Sequence, residues 1–366
     1  MAQIPADADQ SIKVDIHQRA AVEAVRSQGP APKTAERYHD QVAYLHPNLL
    51  KMSLGEIMPF HLSREWKRLL ASGGHHRRTQ APRPLSKKTV RNIPGVVSSA
   101  FKCAIKWGLV TANPVPASEP PVPKKRRGMA LTPAQQQTMI AAATEPWYLG
   151  TFLEMCAATG ARRGEVLALR WPDIRDGRVL IARSLTQTKD GLAFKGTKTE
   201  DSVRPVSLPV SAMKALEAHR HRQDEFRRQF GPDYRTDLDL IFANPNGTPV
   251  KPDSVSASVS ALCRRLKMPQ GVSLHTLRHT HGLHLIAAGM EITAVSARLG
   301  HSSPRVTQDI YAHAIRGRDD EAALRWEQFQ KQIARETRQE LSNELLSVVG
   351  GGSAWKRKGR NSMRNW

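Results

Sequence analysis

Cysteine is scarce in this chain. Cys103, Cys156 and Cys263 are the only three in 366 residues. They are far apart and odd in number, so no disulfide framework is implied, and no pair has metal-ligand spacing. Each lies in apolar, helix-like text, which predicts buried thiols in a reducing cytosol. Long hydrophobic runs are also lacking. No stretch approaches the ~20 apolar residues of a membrane span. The opening MAQIPADADQ is polar and acidic, without the apolar core of a secretion signal. These absences predict a cytoplasmic protein with no membrane partner. Acidic residues are few beside basic ones, 33 against 55, for a formal net charge of +22. A surface this basic repels itself unless it meets a polyanion, and nucleic acid is the usual one. A ribosomal or merely basic protein is the plainer alternative.

What is present is enough for more than one domain. The length exceeds a typical single domain, and 40% hydrophobic residues suffice for globular cores. Residues 1–32 read as an N-terminal extension, with Ser11 to Ser27 helical and Gly29-Pro30-Ala31-Pro32 as the break. Residues 33–113 read as a helical domain. Thr34 to Leu50 is one apolar-periodic segment, and Leu54 to Leu70 is a turn and a helix. Gly73 to Arg78 is a basic loop, and a helix follows Ser86 as far as Trp107, kinked or split at Pro94-Gly95. Residues 114–128, PVPASEPPVPKKRRG, read as an extended linker. It ends in Lys124, Lys125, Arg126 and Arg127, a strap suited to phosphates; a solvated linker face is the bland alternative.

A second domain, residues 129–318, opens with an N-cap, a first-turn proline and a capping-box glutamine at Thr132-Pro133-Ala134-Gln135. Helices run to about Leu169. Val179–Ala182, Leu192–Phe194 and Val203–Leu208 have strand character, with a turn at Lys189-Asp190-Gly191. Helical text returns at Ser211–Phe230 and from Asp253 onward. Residues 319–346 form a long amphipathic helix, and 347–366 a basic flexible tail. The fold class expected is mainly α with a small antiparallel β-sheet, an α+β second domain.

Three segments carry chemistry. In Thr159-Gly160-Ala161-Arg162-Arg163-Gly164-Glu165, the glycine permits a tight turn that aims Arg162. Arginine suits phosphate because its planar fork bonds two oxygens. Glu165, three residues on, can reach the same face and fix the arginine. In Leu274-His275-Thr276-Leu277-Arg278-His279-Thr280, His275 and Arg278 share a helix face, a proton carrier beside a second clamp. His275 and His279 also have a metal-ligand spacing, but no HExxH glutamate or nearby cysteine accompanies them, so no metal is expected. In Leu299-Gly300-His301-Ser302-Ser303, His301 sits in a turn before a helix that Ser303-Pro304 would start. Tyr311 follows ten residues later. A tyrosine placed in line with a phosphorus can serve as a nucleophile. Lys198, between the second and third strands, can reach a groove and protonate a leaving oxygen. Lys195 is its rival, and Arg204 neighbours the next strand. Taken alone, Arg162 would be a surface ion pair, Lys198 a surface lysine and Tyr311 a helix anchor.

Their order and local sequence resemble the tyrosine recombinases, the phage-integrase family, from about Lys33 to His313. The resemblance implies that Arg162 and Arg278 clamp the scissile phosphate. It makes Lys198 the general acid on the 5′ oxygen and His275 an assistant in proton transfer with the nucleophile. It has His301 hydrogen-bond the phosphate, Tyr311 form a 3′-phosphotyrosyl bond and Glu165 support from behind. It implies no cofactor and no metal, and a two-domain clamp on double-stranded DNA attachment sites. It also implies a homotetramer on paired sites with the tail helix packing in trans, and help from an excisionase or a host DNA-bending factor. Its details look more like mobile-element integrases, of bacterial or phage origin and nucleoid-associated, than like chromosome-dimer resolvases. Only some thirty residues precede Lys33, without a strand-rich pattern, so arm-site binding is not expected. Rival readings are a Xer-like dimer resolvase, a type IB topoisomerase, a non-catalytic DNA-binding integrase relic and a metal hydrolase.

Overall fold

The computed structural model describes residues 32–76, 79, 81–123, 129–196, 203–301, 303–305, 307–308 and 319–351. The chain divides into two units. One holds the residues up to His281 together with Arg298–Gly300; the other holds residues 282–297 and those from His301 onward.

The first unit contains two hydrophobic cores. The earlier core gathers Leu62, Trp66, Leu69, Val90, Ile93 and Phe101 from helices α1 (Pro32–Val42), α2 (Pro47–Leu50), α3 (Pro59–Ser72) and α4 (Lys87–Lys106). The single segment expected over Thr34–Leu50 is two helices. Pro47 cannot continue the first, and it starts the second, where His46 Nδ1 accepts from the Asn48 amide at 3.2 Å. The helix expected to be kinked or split at Pro94 is not split, because α4 runs through it. An internal proline costs about 3 kcal/mol. Val90, Ile93 and Phe101 are each about 1% exposed or less, and burying such a side chain contributes roughly 1.5–3 kcal/mol.

Two further expectations are corrected here. The basic loop after Gly73 contains strand β1 (Gly74–His75), paired antiparallel with β2 (Pro82–Arg83). The start of the linker is not an extended strap. Val115 is buried, and Ser118 is tied to α3: Trp66 Nε1 donates to its Oγ at 2.9 Å and Ser63 Oγ to its carbonyl at 2.8 Å. Lys124, Lys125, Arg126 and Arg127 lie outside the described residues, as does Ser11 to Ser27.

The later core is built on α5 (Pro133–Ala141), α6 (Leu149–Thr159), α7 (Arg163–Leu167), α8 (Val210–Phe230) and α9 (Pro252–Arg265). The Thr132 cap forms as expected, with Gln135 donating its amide to Thr132 Oγ1 and returning Oε1 to the Thr132 amide. The β-structure around this later core is, among the described residues, two separate sheets. Strands β3 (Ile174–Arg175), β4 (Arg178–Ile181) and β7 (Arg204–Ser207) form one antiparallel sheet in that order, and β5 (Arg183–Thr188) pairs with β6 (Gly191–Gly196) as a hairpin. The turn at Lys189-Asp190 is where it was expected. Its Lys189 meets α1, the amide donating to Glu36 Oε1 at 2.6 Å and Nζ to Asp40 Oδ1 at 3.1 Å.

Helix α10 (Leu274–Ala287) begins in the first unit, and α11 (Ile292–Leu299) ends there. The second unit also contains α12, Asp319–Gly351, which continues past the expected end at Leu346. Leu324, Trp326, Phe329 and Ile333 on α12 are exposed. Among the described residues, no helix is long and apolar enough to cross a membrane. Cys156 and Cys263 are buried, whereas Cys103 is only half-buried, a departure from the expectation of three buried thiols.

Candidate active site

The first motif is an α6 C-terminus followed at once by an α7 N-terminus. Gly160 ends α6 in the left-handed region, φ +64°, and its amide donates to Cys156 O at 3.0 Å. This is the usual role of a glycine beyond a helix end. Space demands it too, since a Cβ there would lie 2.6 Å from Leu299 Cδ2 and 2.7 Å from His281 Cδ2. Gly164 has a separate reason. A Cβ on it would lie 2.5 Å from the Leu185 carbonyl oxygen, so the glycine lets α7 press against β5.

Arg162 is the N-cap of α7, and Glu165 lies one turn in. The Glu165 carboxylate accepts from the Arg162 amide at 2.9 Å and from Arg162 Nη1 at 2.8 Å. Arg162 Nη2 donates to Gly300 O at 3.1 Å. The two adjacent arginines are not equivalent. Arg163 Nη1 bonds Pro252 O, Asp253 Oδ1 and Ser256 Oγ, so it fastens α7 to α9.

Glu165 is 4% exposed. Burial alone would raise its pKa, but the charge and hydrogen bond of Arg204 and the bonds from Arg162 outweigh that and hold it below the usual carboxylate range. Arg204 is 6% exposed and donates from Nη2 to Glu165 Oε2 at 2.9 Å and from Nε to Arg298 O at 2.8 Å. Sequence reasoning placed Arg204 only as a neighbour of a strand. The strand pattern alternates buried, exposed, buried, exposed from Arg204 to Ser207. An arginine on the same face as buried Val206 was the signal available. Arg298 was missed as well. Its Nη2 donates to Ala158 O at 2.9 Å, near the α6 C-terminus, and its Nε to His281 Nε2 at 3.0 Å, so that ring nitrogen carries a lone pair.

Helix α10 brings the second motif to the same place. Arg278 is 3% exposed and donates from Nη1 to Gly160 O at 2.8 Å, two residues before Arg162. His275 is one turn earlier and exposed. Partial burial of its ring, then the charges of Arg278 and Arg162, pull its pKa below the ordinary imidazole value. Both guanidinium charges therefore act on one imidazole. His279 stands edge-on to His275, ring centres 4.5 Å apart, and burial followed by His275 and Arg278 pushes it down to about 4. Among the described residues, no three His, Cys, Asp or Glu side chains gather as metal ligands.

The structure thus brings Arg162, Glu165, His275 and Arg278 together. His301 belongs to the second unit. Its amide donates to Ser296 O at 3.1 Å, and its Nδ1 is 2.7 Å from the hydroxyl of fully buried Thr307. The expected cap at Ser303 is present, with its Oγ accepting from the Arg305 amide at 3.2 Å. Lys198 and Tyr311 lie outside the described residues.

The ICEBs1 integrase of Bacillus subtilis is 29% identical over 245 residues, 65% of each chain. The tyrosine recombinase XerC-like protein of Caldanaerobacter subterraneus is 26% identical over 248 residues, 63% of each chain. The chain therefore spans just under two thirds of the length of these relatives. Among solved structures, the Tn1549 transposon integrase with a circular intermediate DNA has a TM-score of 0.69 at 19% identity, covering 85% of this chain and 99% of that one. A lambda integrase tetramer bound to a Holliday junction has a TM-score of 0.58 at 20% identity, covering 82% and 80%. These likenesses establish a mainly helical fold with small antiparallel sheets. The model of the phage integrase family matches residues 130–317, just over half the chain and all of the site built above. The chain belongs to the phage integrase family.

Proposed function

We propose that this protein is a tyrosine recombinase that integrates and excises a mobile element by breaking and rejoining DNA. The observation that carries the reading is the pair Arg162 and Arg278 acting on His275, with Arg162 locked by Glu165. Phosphoryl transfer at a diester gathers extra negative charge in its transition state, and preorganised guanidinium groups answer it. His275, with its pKa lowered, is neutral at physiological pH and can take a proton from an attacking hydroxyl. Tyr311 is the nucleophile, forming a 3′-phosphotyrosyl bond, and Lys198 protonates the departing 5′ oxygen. His301, aimed through Thr307, hydrogen-bonds the phosphate. The bond energy is kept in the phosphotyrosine, so rejoining needs no cofactor.

In this reading residues 33–113 are a core-binding domain and 129–318 the catalytic domain. Lys124 to Arg127 lie along DNA phosphates, and the working form is a homotetramer on paired attachment sites in the cytoplasm, bound to the nucleoid. The α12 helix carries an exposed apolar set for contact in trans. The integrase relatives favour a mobile element. The XerC-like relative supports a dimer resolvase as the second reading.

A covalent trap tests this. The protein is expressed beside a plasmid carrying DNA that flanks its gene, cells are lysed in detergent, and protein-linked DNA is sequenced. An adduct at one discrete site, lost in Tyr311→Phe, is expected. Scattered adducts would indicate a topoisomerase, and an adduct that survives Tyr311→Phe would remove the nucleophile assignment.

A further inference from the structure

Glu165 presents an electrostatic difficulty. A carboxylate that aims Arg162 also cancels its charge, and a clamp for an anion needs that charge. Arg204 resolves the difficulty. It is buried, with 7% of its side chain exposed, opposite a Glu165 side chain that is 5% exposed. A buried carboxylate and a buried guanidinium at 2.9 Å form a neutral pair. Arg162, with 46% of its side chain exposed, then keeps its positive charge facing outward while still being held by the same carboxylate.

Arg204 also fixes the other support of Arg162. A Cβ on Gly300 would lie 2.6 Å from Arg204 Nη1 and 2.8 Å from Cζ, so the guanidinium is pressed against the Gly300 backbone. Gly300 has φ +65°, which favours glycine independently. Its carbonyl accepts from Arg162 Nη2. The side-chain bonds of Arg162 to Glu165 and to Gly300 therefore both end on groups that Arg204 contacts. Arg204 Nε in turn holds Arg298 O, two residues before Gly300.

We propose that Arg204 is a positioning residue for the scissile phosphate, acting through Arg162: it neutralises Glu165 and seats Gly300, so that Arg162 is aimed without losing its charge. This rests on the reading of Arg162 as a phosphate clamp.

The test compares Arg204→Gln with Arg162→Ala and the unaltered protein. Single-turnover cleavage is measured at the trapped site, with an ordinary scissile phosphate and with an uncharged methylphosphonate. Arg204→Gln should slow cleavage of the phosphate by about 100-fold, the loss typical of one preorganised charge stabiliser. The neutral methylphosphonate should shrink that deficit to below about 10-fold, because it removes the charge that the clamp serves. A variant that is merely misfolded would be slowed equally on both. If Arg162→Ala is relieved by methylphosphonate and Arg204→Gln is not, the proposal fails. If Arg162→Ala is not relieved either, the clamp reading itself fails.

Should Arg204→Gln not fold, the double variant Glu165→Gln with Arg204→Gln replaces the ion pair by two amides, and the same relief is expected of it. A DNA-free measurement decides where no cleavable site is in hand. The His275 titration, followed by NMR with His275→Ala as assignment control, should move up in Arg204→Gln, because Glu165, no longer neutralised, then offsets the charge that Arg162 presses on the ring; in the double variant, which removes that carboxylate as well, it should move less. A His275 titration left in place by Arg204→Gln would overturn the proposal.

Discussion

Glu165 accepts two hydrogen bonds from Arg162, one from the main chain at 2.9 Å and one from the guanidinium at 2.8 Å. One carboxylate thus fixes both where the residue starts and where its side chain ends. Glu165→Ala releases that hold and leaves Arg204 buried without its counter-charge. Breaking a buried pair from one side costs about 3–5 kcal/mol. Urea denaturation should show a loss of that size, and Glu165→Gln, which keeps a hydrogen-bond acceptor, should lose clearly less. A Glu165→Gln variant as stable as the unaltered protein would contradict the buried-pair account.

Gly160→Ala tests the turn that carries the first motif. Alanine there meets both a positive φ and atoms at 2.6–2.7 Å from Leu299 and His281. Backbone strain and overpacking each cost about 1–3 kcal/mol. The variant should be destabilised within that range, and strand cleavage should fall further than stability does, because Gly160 O also holds Arg278. A stable and fully active Gly160→Ala would mean that the turn is not needed.

Thr307→Val removes the hydroxyl beside His301 Nδ1 and keeps the side-chain shape. With the imidazole no longer oriented, cleavage should drop by about 10–100-fold, the scale seen when a supporting hydrogen bond to a functional histidine is lost, while the thermal melt stays close to that of the unaltered protein. Unchanged cleavage kinetics would show that Thr307 is only a packing residue.

His219 makes folding sensitive to acid. It is 4% exposed, stacked on Trp147 with ring centres 4.4 Å apart, and 2.7 Å from Ile241 O through Nε2. Burial, opposed in part by that hydrogen bond, together with the charge of Arg222, lowers its pKa from 6.5 to about 4. The unfolded chain therefore takes this proton below about pH 6.5, while the folded chain resists until about pH 4. Its contribution to stability is whole above pH 6.5 and falls away as the pH drops towards 4. The loss amounts to about 3 kcal/mol at the low end. Urea midpoints at pH 7 and pH 4.5 should separate less in His219→Gln than in the unaltered protein, and an identical separation would assign the acid loss elsewhere.

Local signals were the legible ones. The Thr132 cap and the reach from Arg162 to Glu165 involve residues three apart, and the chain text contains both partners. The pairing of His275 with Arg278 on one helix face is of the same kind. What escaped depends on distant partners. Strand β5, with the text RSLTQT, has little apolar alternation and is fixed by its register against β6. Arg204 is 39 residues from Glu165, and a buried arginine looks like any other until the carboxylate opposite it is known. The linker failed for a similar reason. Its prolines favour an extended chain, but Ser118 has Trp66 to bond with, and a buried indole N–H needs an acceptor.

The contact between Lys189 and helix α1 has a further consequence. The two cores of the first unit are connected through the covalent chain after Ser118 and, among the described residues, also through Lys189 with Glu36 and Asp40. That second connection includes, beside the amide bond to Glu36, an exposed ion pair of Lys189 with Asp40, about 60% open to water on both sides. Such a pair is worth about 0.2–1 kcal/mol and weakens with salt. It works as a fastener that thermal motion can undo and remake. In the clamp reading proposed above, a closure of that strength would let the chain go onto a double helix that offers no free end to thread.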